Sequence, residues 1–188
     1  MALILASASP RRVEMLARLG IVPDAIEPAD VDESWTAAEL PGPHASRLAA
    51  AKAAVVAARH PDAIVLAADT VVAVGRRVLP KAEDEAEARQ CLQLLSGRRH
   101  RVFTGVTLIA GGRARHRLST TAVIFKRFDA PEIDAYLAAG EWRGKAGGYA
   151  IQGRAEAYVR AMSGSWSGIV GLPLYETRAL LKAAGLDV

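Results

Sequence analysis

Chemistry-bearing side chains gather in four short segments of this 188-residue chain, each directly after an apolar run or inside a glycine-rich turn. The first is Ser7-Ala-Ser9-Pro10-Arg11-Arg12, which follows the apolar stretch Ala2–Ala6. A buried strand is expected over Ala2–Ala6. Ser9 is suited to cap a helix whose first position is Pro10, because proline lacks only an N–H that would be orphaned there anyway. A helix N-terminus aims free N–H groups and a positive dipole end at one point, which suits an anion. Arg11 and Arg12 add guanidinium forks shaped for phosphate oxygens, with Ser7 beside them. Taken alone, the segment also fits an ordinary capped helix with two solvated arginines.

The second segment is Ala67-Ala-Asp69-Thr70-Val71, in which a carboxylate ends the apolar strand expected over Ile64–Ala68. A buried acid must be hydrogen-bonded, paired or bound to a cation. A turn aspartate is the plainer reading. Lys81 follows an expected hairpin at Gly75-Arg-Arg77 and can face the same cleft. Lys52 is the only charge in the apolar stretch Leu48–Ala58, so it either snorkels to water or serves a site. The third segment is an acidic loop containing Asp30, Asp32 and Glu33. A hard cation such as Mg²⁺ needs one or two carboxylates plus phosphate oxygens, and Asp69 with Glu33 can supply that pair.

The fourth segment is Lys145-Ala-Gly147-Gly148-Tyr149-Ala-Ile-Gln152-Gly153. Its glycines let backbone approach a ligand closely, and the Gln152 amide carries both a donor and an acceptor. That pair suits the Watson–Crick edge of a pyrimidine, although a glycine-rich turn with a structural glutamine has the same composition.

These segments require elements to carry them. Helices are expected over Arg11–Leu19, Ala45–Arg59, Glu83–Leu95, Pro131–Ala139 and Leu172–Ala184, from apolar spacing and from Gly or Pro at their ends. Strands are expected over Val71–Val74, Val78–Leu79, Arg101–Ala110, Arg115–Phe125, Tyr149–Ile151, Ala157–Met162 and Trp166–Val170. This order lacks a regular βαβ alternation. It predicts an α/β fold with a mixed twisted sheet flanked by helices, in a single domain over residues 1–188.

Composition excludes several classes. The chain is 51% hydrophobic and 23% charged, which is globular and not disordered. Its single cysteine, Cys91, forms no intramolecular disulfide and is expected to be a buried, inert thiol. With four scattered histidines, a His/Cys zinc site is not expected. No apolar run reaches the length of a membrane span and no leader pattern is seen, so a cytoplasmic protein without a membrane partner is expected. The net charge of +4 favours anionic ligands. A nucleic-acid partner is not expected, because neither clustered aromatics nor a basic stripe is present. No Walker-type phosphate loop occurs.

Together the motifs resemble the Maf family of nucleoside triphosphate pyrophosphatases. Ser7–Arg12, Ala68-Asp69-Thr70-Val71, Thr104-Gly105-Val106, Lys145–Gly153 and Val170-Gly-Leu-Pro-Leu174 match it in order, nearly from end to end. The resemblance implies a Maf/ITPase-like fold with two lobes around a central cleft. It also implies hydrolysis of a nucleoside triphosphate to the monophosphate and pyrophosphate with a divalent metal, Mg²⁺ or Mn²⁺. The Gly-Tyr-x-Ile-Gln-Gly pattern is similar to the dTTP/UTP branch, whereas the 7-methyl-GTP branch tends to carry glutamate at the Gln152 position. By that likeness Asp69 is the proton acceptor, and Arg11, Thr70 and Gln152 are specificity positions. Lys52 and Lys81 match cleft lysines, and Glu33 matches the acidic loop. One departure is Leu79-Pro80-Lys81-Ala82, where the family more often shows Lys-Pro. A non-catalytic nucleotide-binding regulator of cell division is the alternative role. A homodimer is compatible with the sequence.

Overall fold

The computed structural model describes residues 1–188 as a seven-stranded mixed sheet with helices on both faces. Strand β1 (Leu3–Leu5) leads into helix α1 (Pro10–Ala17), followed by the two-residue strand β2 (Ala25–Ile26) and the long helix α2 (Pro41–Arg59). Next come β3 (Ile64–Val74), β4 (Arg77–Leu79) and α3 (Glu85–Leu95). The hairpin β5 (Arg99–Ala110) and β6 (Arg113–Phe125) precedes α4 (Ala130–Ala138), and a 3-10 turn (Arg154–Tyr158) leads to β7 (Val159–Ser163). Helices α5 (Trp166–Val170) and α6 (Leu174–Ala183) complete the order.

The strands lie in the order β2-β1-β3-β5-β6-β7, with β4 attached to β3. Pairing is parallel among β2, β1 and β3 and antiparallel elsewhere, which makes the sheet mixed. Strand alternation divides the core. Leu3, Leu5, Ile64, Leu66 and Ala68 join a 31-residue cluster on one face, while Ile4, Ala6, Val65 and Ala67 pack against Ala53 and Val56 of α2 on the other. Helix α2 crosses β5 so closely that a Cβ on Gly105 would stand 2.5 Å from the Ala45 carbonyl oxygen. Only glycine fits there.

Three expectations required correction. Strand β3 does not end at Asp69-Thr70; the β-branched residues beyond them continue it to Val74, and β5 pairs along its length. Tyr149–Ile151 is irregular chain between two turns and not a strand, and it follows Gly147 and Gly148, which both take positive φ. Trp166–Val170 is helical: the Ser165 side chain accepts the Gly168 N–H, and Gly171 (φ 129°) ends the element. Cys91 is buried, as expected.

Candidate active site

The site begins at an interruption in the sheet. On one edge of β3, β1 pairs with Ile64–Leu66 and β4 with Val72–Val74. Between them, around Asp69, β3 has no strand neighbour on that side. Chain leaving β1 turns away here into α1, and a cleft of about 410 Å³ opens over the gap. Residues 6–12, Glu33 and Lys52 wall it on one side, and the glycine-rich segment 144–152 walls it on the other. Because the gap is an edge, successive β3 side chains pointing to opposite faces both reach the cleft. Asp69 lies on the α2 face and Thr70 on the other.

Asp69 is buried and paired. Lys52, rising from the interior side of α2, places Nζ 2.7 Å from Asp69 Oδ1 and 2.6 Å from Glu33 Oε1. Lys81 Nζ lies 3.1 Å from Glu33 Oε2. The result is an alternating chain of four charges, Asp69–Lys52–Glu33–Lys81. Burial pushes the Glu33 carboxyl up, but Lys52 and Lys81 outweigh it and leave it at about 2. Lys52 therefore serves the site and does not snorkel away. Glu33 and Asp69 are the two carboxylates of the cleft, and no group of three His, Cys, Asp or Glu gathers anywhere in the chain.

A loop fixed from behind carries Glu33. Glu39 accepts from Arg47 Nε and Nη2 at 2.8 and 2.9 Å, and lies 2.8 Å from His44 Nδ1. Arg47 also donates to the Ser34 carbonyl, and Trp35 stacks on His44 with ring centroids 3.5 Å apart.

The segment before α1 forms the anion end. Pro10 occupies the first turn, as predicted. Ser9 has the extended cap backbone, but its side chain makes no cap bond. Ser7 takes the structural role instead, its Oγ accepting from the Ser9 N–H at 3.2 Å and from Arg12 Nη1 at 2.8 Å. With both lone pairs filled, the Ser7 hydroxyl proton is left for the cleft. Arg12 Nε donates to the Gly171 carbonyl at 2.9 Å. Burial lowers the Arg12 pKa while Asp69 raises it, and the guanidinium remains a cation. Arg11 also lines the cleft.

The glycine-rich wall is tied to the strap after β4. Lys81 bridges to Ala146, and the Gly147 N–H donates to the Pro80 carbonyl at 2.9 Å. A Cβ on Gly147 would meet Val72 Cγ1 at 2.9 Å, so glycine is required for this approach. Gln152 lines the cleft with an exposed side chain. Behind it, the Arg154 N–H donates to Glu141 Oε2 at 2.8 Å, and a Cβ on Gly153 would collide with that carboxylate.

Comparison with known proteins places this arrangement. Residues 2–184 match the family model described as Maf-like protein. The chain belongs to the Maf family. A protein named dTTP/UTP pyrophosphatase from Paramagnetospirillum magneticum is 63% identical over 184 residues, 97% of each chain. A second of the same name from Novosphingobium aromaticivorans is 62% identical over 187 residues, 99% of this chain and 93% of its own length. With such relatives over nearly its whole length, this Maf chain is an enzyme of the pyrophosphatase class. A solved HAM1 protein from Coxiella burnetii superposes with a TM-score of 0.55 at 16% identity, over 97% of this chain and 98% of that one. That likeness is one of fold.

One cleft of this Maf chain thus contains Ser7, Arg11, Arg12, Glu33, Lys52, Asp69, Thr70, Lys81 and Gln152, whereas Asp30 and Asp32 of the acidic loop do not line it. Sequence reasoning missed the supports. Thr104 stood in a matched motif without a role, yet its Oγ1 lies 3.0 Å from Thr70 Oγ1 and donates to the Gly168 carbonyl at 2.7 Å. The clamp of Trp35, Glu39, His44 and Arg47 had no signal beyond ordinary composition. Lys145, which opens the glycine motif, also lines the cleft, where burial and Arg11 lower its pKa.

Proposed function

We propose that this chain hydrolyses nucleoside triphosphates, preferentially dTTP and UTP, to the nucleoside monophosphate and pyrophosphate. The observation that carries this reading is the Asp69–Lys52–Glu33–Lys81 charge chain at the sheet-edge gap, facing the Ser7–Arg12 anion site across one cleft. A buried acid paired with a lysine beside a cluster of phosphate-binding groups is what attack of water on a phosphoanhydride needs.

In this mechanism Arg12, Arg11, the Ser7 hydroxyl and the N-terminus of α1 bind phosphate oxygens. Asp69 orients a water at the α-phosphorus and takes its proton as the new P–O bond forms. The bond from the α-phosphorus to the bridging oxygen breaks, and pyrophosphate leaves with its charge met by arginine and lysine. Lys52 keeps Asp69 in position. Glu33 and Asp69 fit the donor set of a hard cation, and they are the residues that would hold Mg²⁺ or Mn²⁺ with the triphosphate. Such an ion, when bound, neutralises phosphate charge and lowers the pKa of its water. Gln152, exposed on the opposite wall, reads the base: its amide offers a donor to O4 and an acceptor to N3–H of thymine and uracil. The names of the close relatives support the same substrates.

Pyrophosphate release measured over dTTP, UTP, CTP, GTP and 7-methyl-GTP tests the proposal. Turnover of dTTP and UTP well above the others is expected. Preference for 7-methyl-GTP would assign the chain to the other branch, and no release from any substrate would leave only nucleotide binding.

A further inference from the structure

Glu33 is the member of the charge chain with the least support from secondary structure. Residues 32–38 are all exposed and form neither helix nor strand. Inside the cleft the Glu33 carboxylate is seated by Lys52 at 2.6 Å and Lys81 at 3.1 Å. Those lysines are also the cations that an incoming triphosphate seeks. Its phosphate oxygens attract Lys52 and Lys81 and repel Glu33, so the contacts that seat the carboxylate weaken as the substrate arrives. A hold that does not depend on the cleft lysines must then keep the loop in place.

Such a hold exists on the far side of the loop. Arg47 Nη2 donates at 2.9 Å to the carbonyl of Ser34, the residue next to Glu33. Both oxygens of Glu39 fix Arg47 in turn, and Glu39 also accepts the Thr36 N–H at 3.3 Å. The Glu39 side chain is only 7% exposed, and its hydrogen bonds from Arg47 hold the carboxyl well below the usual carboxylate range. Trp35 completes the arrangement by stacking on the buried His44 ring. None of Trp35, Glu39, His44 and Arg47 lines the cleft. Arg47, His44 and Lys52 all belong to α2, which is seated closely on Gly105 of β5. One helix therefore fastens the loop from behind and meets its carboxylate in front.

We propose that Arg47, which touches no substrate, is a positioning residue that retains Glu33 between Lys52 and Lys81 after a triphosphate has entered the cleft. The inference rests on the proposed triphosphatase reading and extends it to a residue outside the cleft. In the free protein the two lysines suffice to seat Glu33. In the complex, a loop without Arg47 moves toward solvent and carries Glu33 out of the site.

A double-mutant cycle separates positioning of Glu33 from general support of the fold. Arg47→Leu is expected to lower kcat/KM for dTTP about tenfold in the wild-type background. In the Glu33→Gln background the same change is expected to cost less than about twofold, because the loop then has no carboxylate to deliver. Trp35→Ala, at a partly exposed side chain, is expected to act in the same way to a smaller extent, and it replaces Arg47→Leu in the cycle if that variant fails to fold. A second readout is the ligand dependence of the loop. On addition of pyrophosphate, acrylamide quenching of Trp35 fluorescence, read against matched Trp35→Phe controls, is expected to rise in Arg47→Leu and to stay constant in the wild type. Full activity in Arg47→Leu, or in Trp35→Ala where it stands in, overturns the inference alone. Equal losses with and without the Glu33 carboxylate overturn it too, since that is what a structural role produces, as does quenching in Arg47→Leu that ignores pyrophosphate. A wild type that does not hydrolyse dTTP, or a Glu33→Gln variant as active as wild type, contradicts the proposed reading of the charge chain and this inference together.

Discussion

The two walls of the cleft are built differently. On the sheet side Asp69, Lys52, Ser7 and Arg12 all have protein partners within 3.2 Å, and Asp69, Ser7 and Lys52 are buried. On the glycine-rich side Gln152 is an exposed side chain on a turn, held only through its backbone neighbours. Groups that must act on every substrate are fixed before any ligand arrives. The group that tells one base from another is left unsatisfied, so that the right base alone completes its hydrogen bonds. Substitutions on the first wall should therefore cost both stability and rate, and substitutions on the second should change selectivity at constant stability.

The largest effect is expected for Asp69→Asn, which keeps shape and loses the proton acceptor. Its turnover of dTTP should fall by about 10²–10⁴, with the circular dichroism spectrum unchanged. Turnover above about half of wild type would make Asp69 structural.

Lys52→Met should affect both properties, because it leaves a buried carboxylate without its cation. Chemical denaturation should show a loss on the order of 3 kcal/mol, as for other broken buried pairs, accompanied by a fall in kcat. A variant as stable as wild type would show that the charge chain does not hold the site together.

Gln152→Glu removes the donor to O4 and places an anion there, at a cost of about 1–3 kcal/mol in kcat/KM for dTTP and UTP. Because the side chain is exposed, its Tm should stay within about 1–2 °C of wild type. An unchanged nucleotide profile would remove Gln152 from base reading.

The last effect, on stability and not on turnover, concerns the support behind the glycine wall. His100 is buried, with Nε2 2.9 Å from the Tyr149 hydroxyl, and burial pulls its pKa down to about 4. Its folded pKa lies below the unfolded value of about 6.5, so the unfolded chain binds more protons between those limits. Stability should fall as pH drops from about 6.5 toward 4, by at most about 3 kcal/mol. In His100→Gln that part of the slope should vanish in urea titrations at pH 7 and pH 4.5. A slope equal to wild type would place the pH dependence elsewhere.

Legibility in the sequence followed the range of the interactions. The anion segment, the acid on β3 and the glycine turn were readable because each depends on neighbours a few residues away. The mixed sheet was readable because β5 and β6 announce themselves by long alternating runs joined at Gly111-Gly112. Sequence ends the β3 strand at Asp69 because a buried charge reads as an ending; the strand continues because Lys52, 17 residues earlier, pairs with that charge. Ser9 has the residue type of a cap that its side chain does not make, and Arg12 and the Ser9 N–H converge on Ser7 instead. The apolar residues of Trp166–Val170 suggest a strand, whereas Ser165 and Gly171 delimit a short helix. Thr104 and Gly168 meet across 64 residues, a distance no local pattern encodes.

The most direct test of the central claim is to run dTTP hydrolysis in ¹⁸O-water and locate the label by mass spectrometry. Attack at the α-phosphorus predicts one ¹⁸O in dTMP and none in pyrophosphate, with release suppressed in Asp69→Asn. Label in pyrophosphate or in orthophosphate would place the attack at another phosphorus and contradict the role given to this cleft.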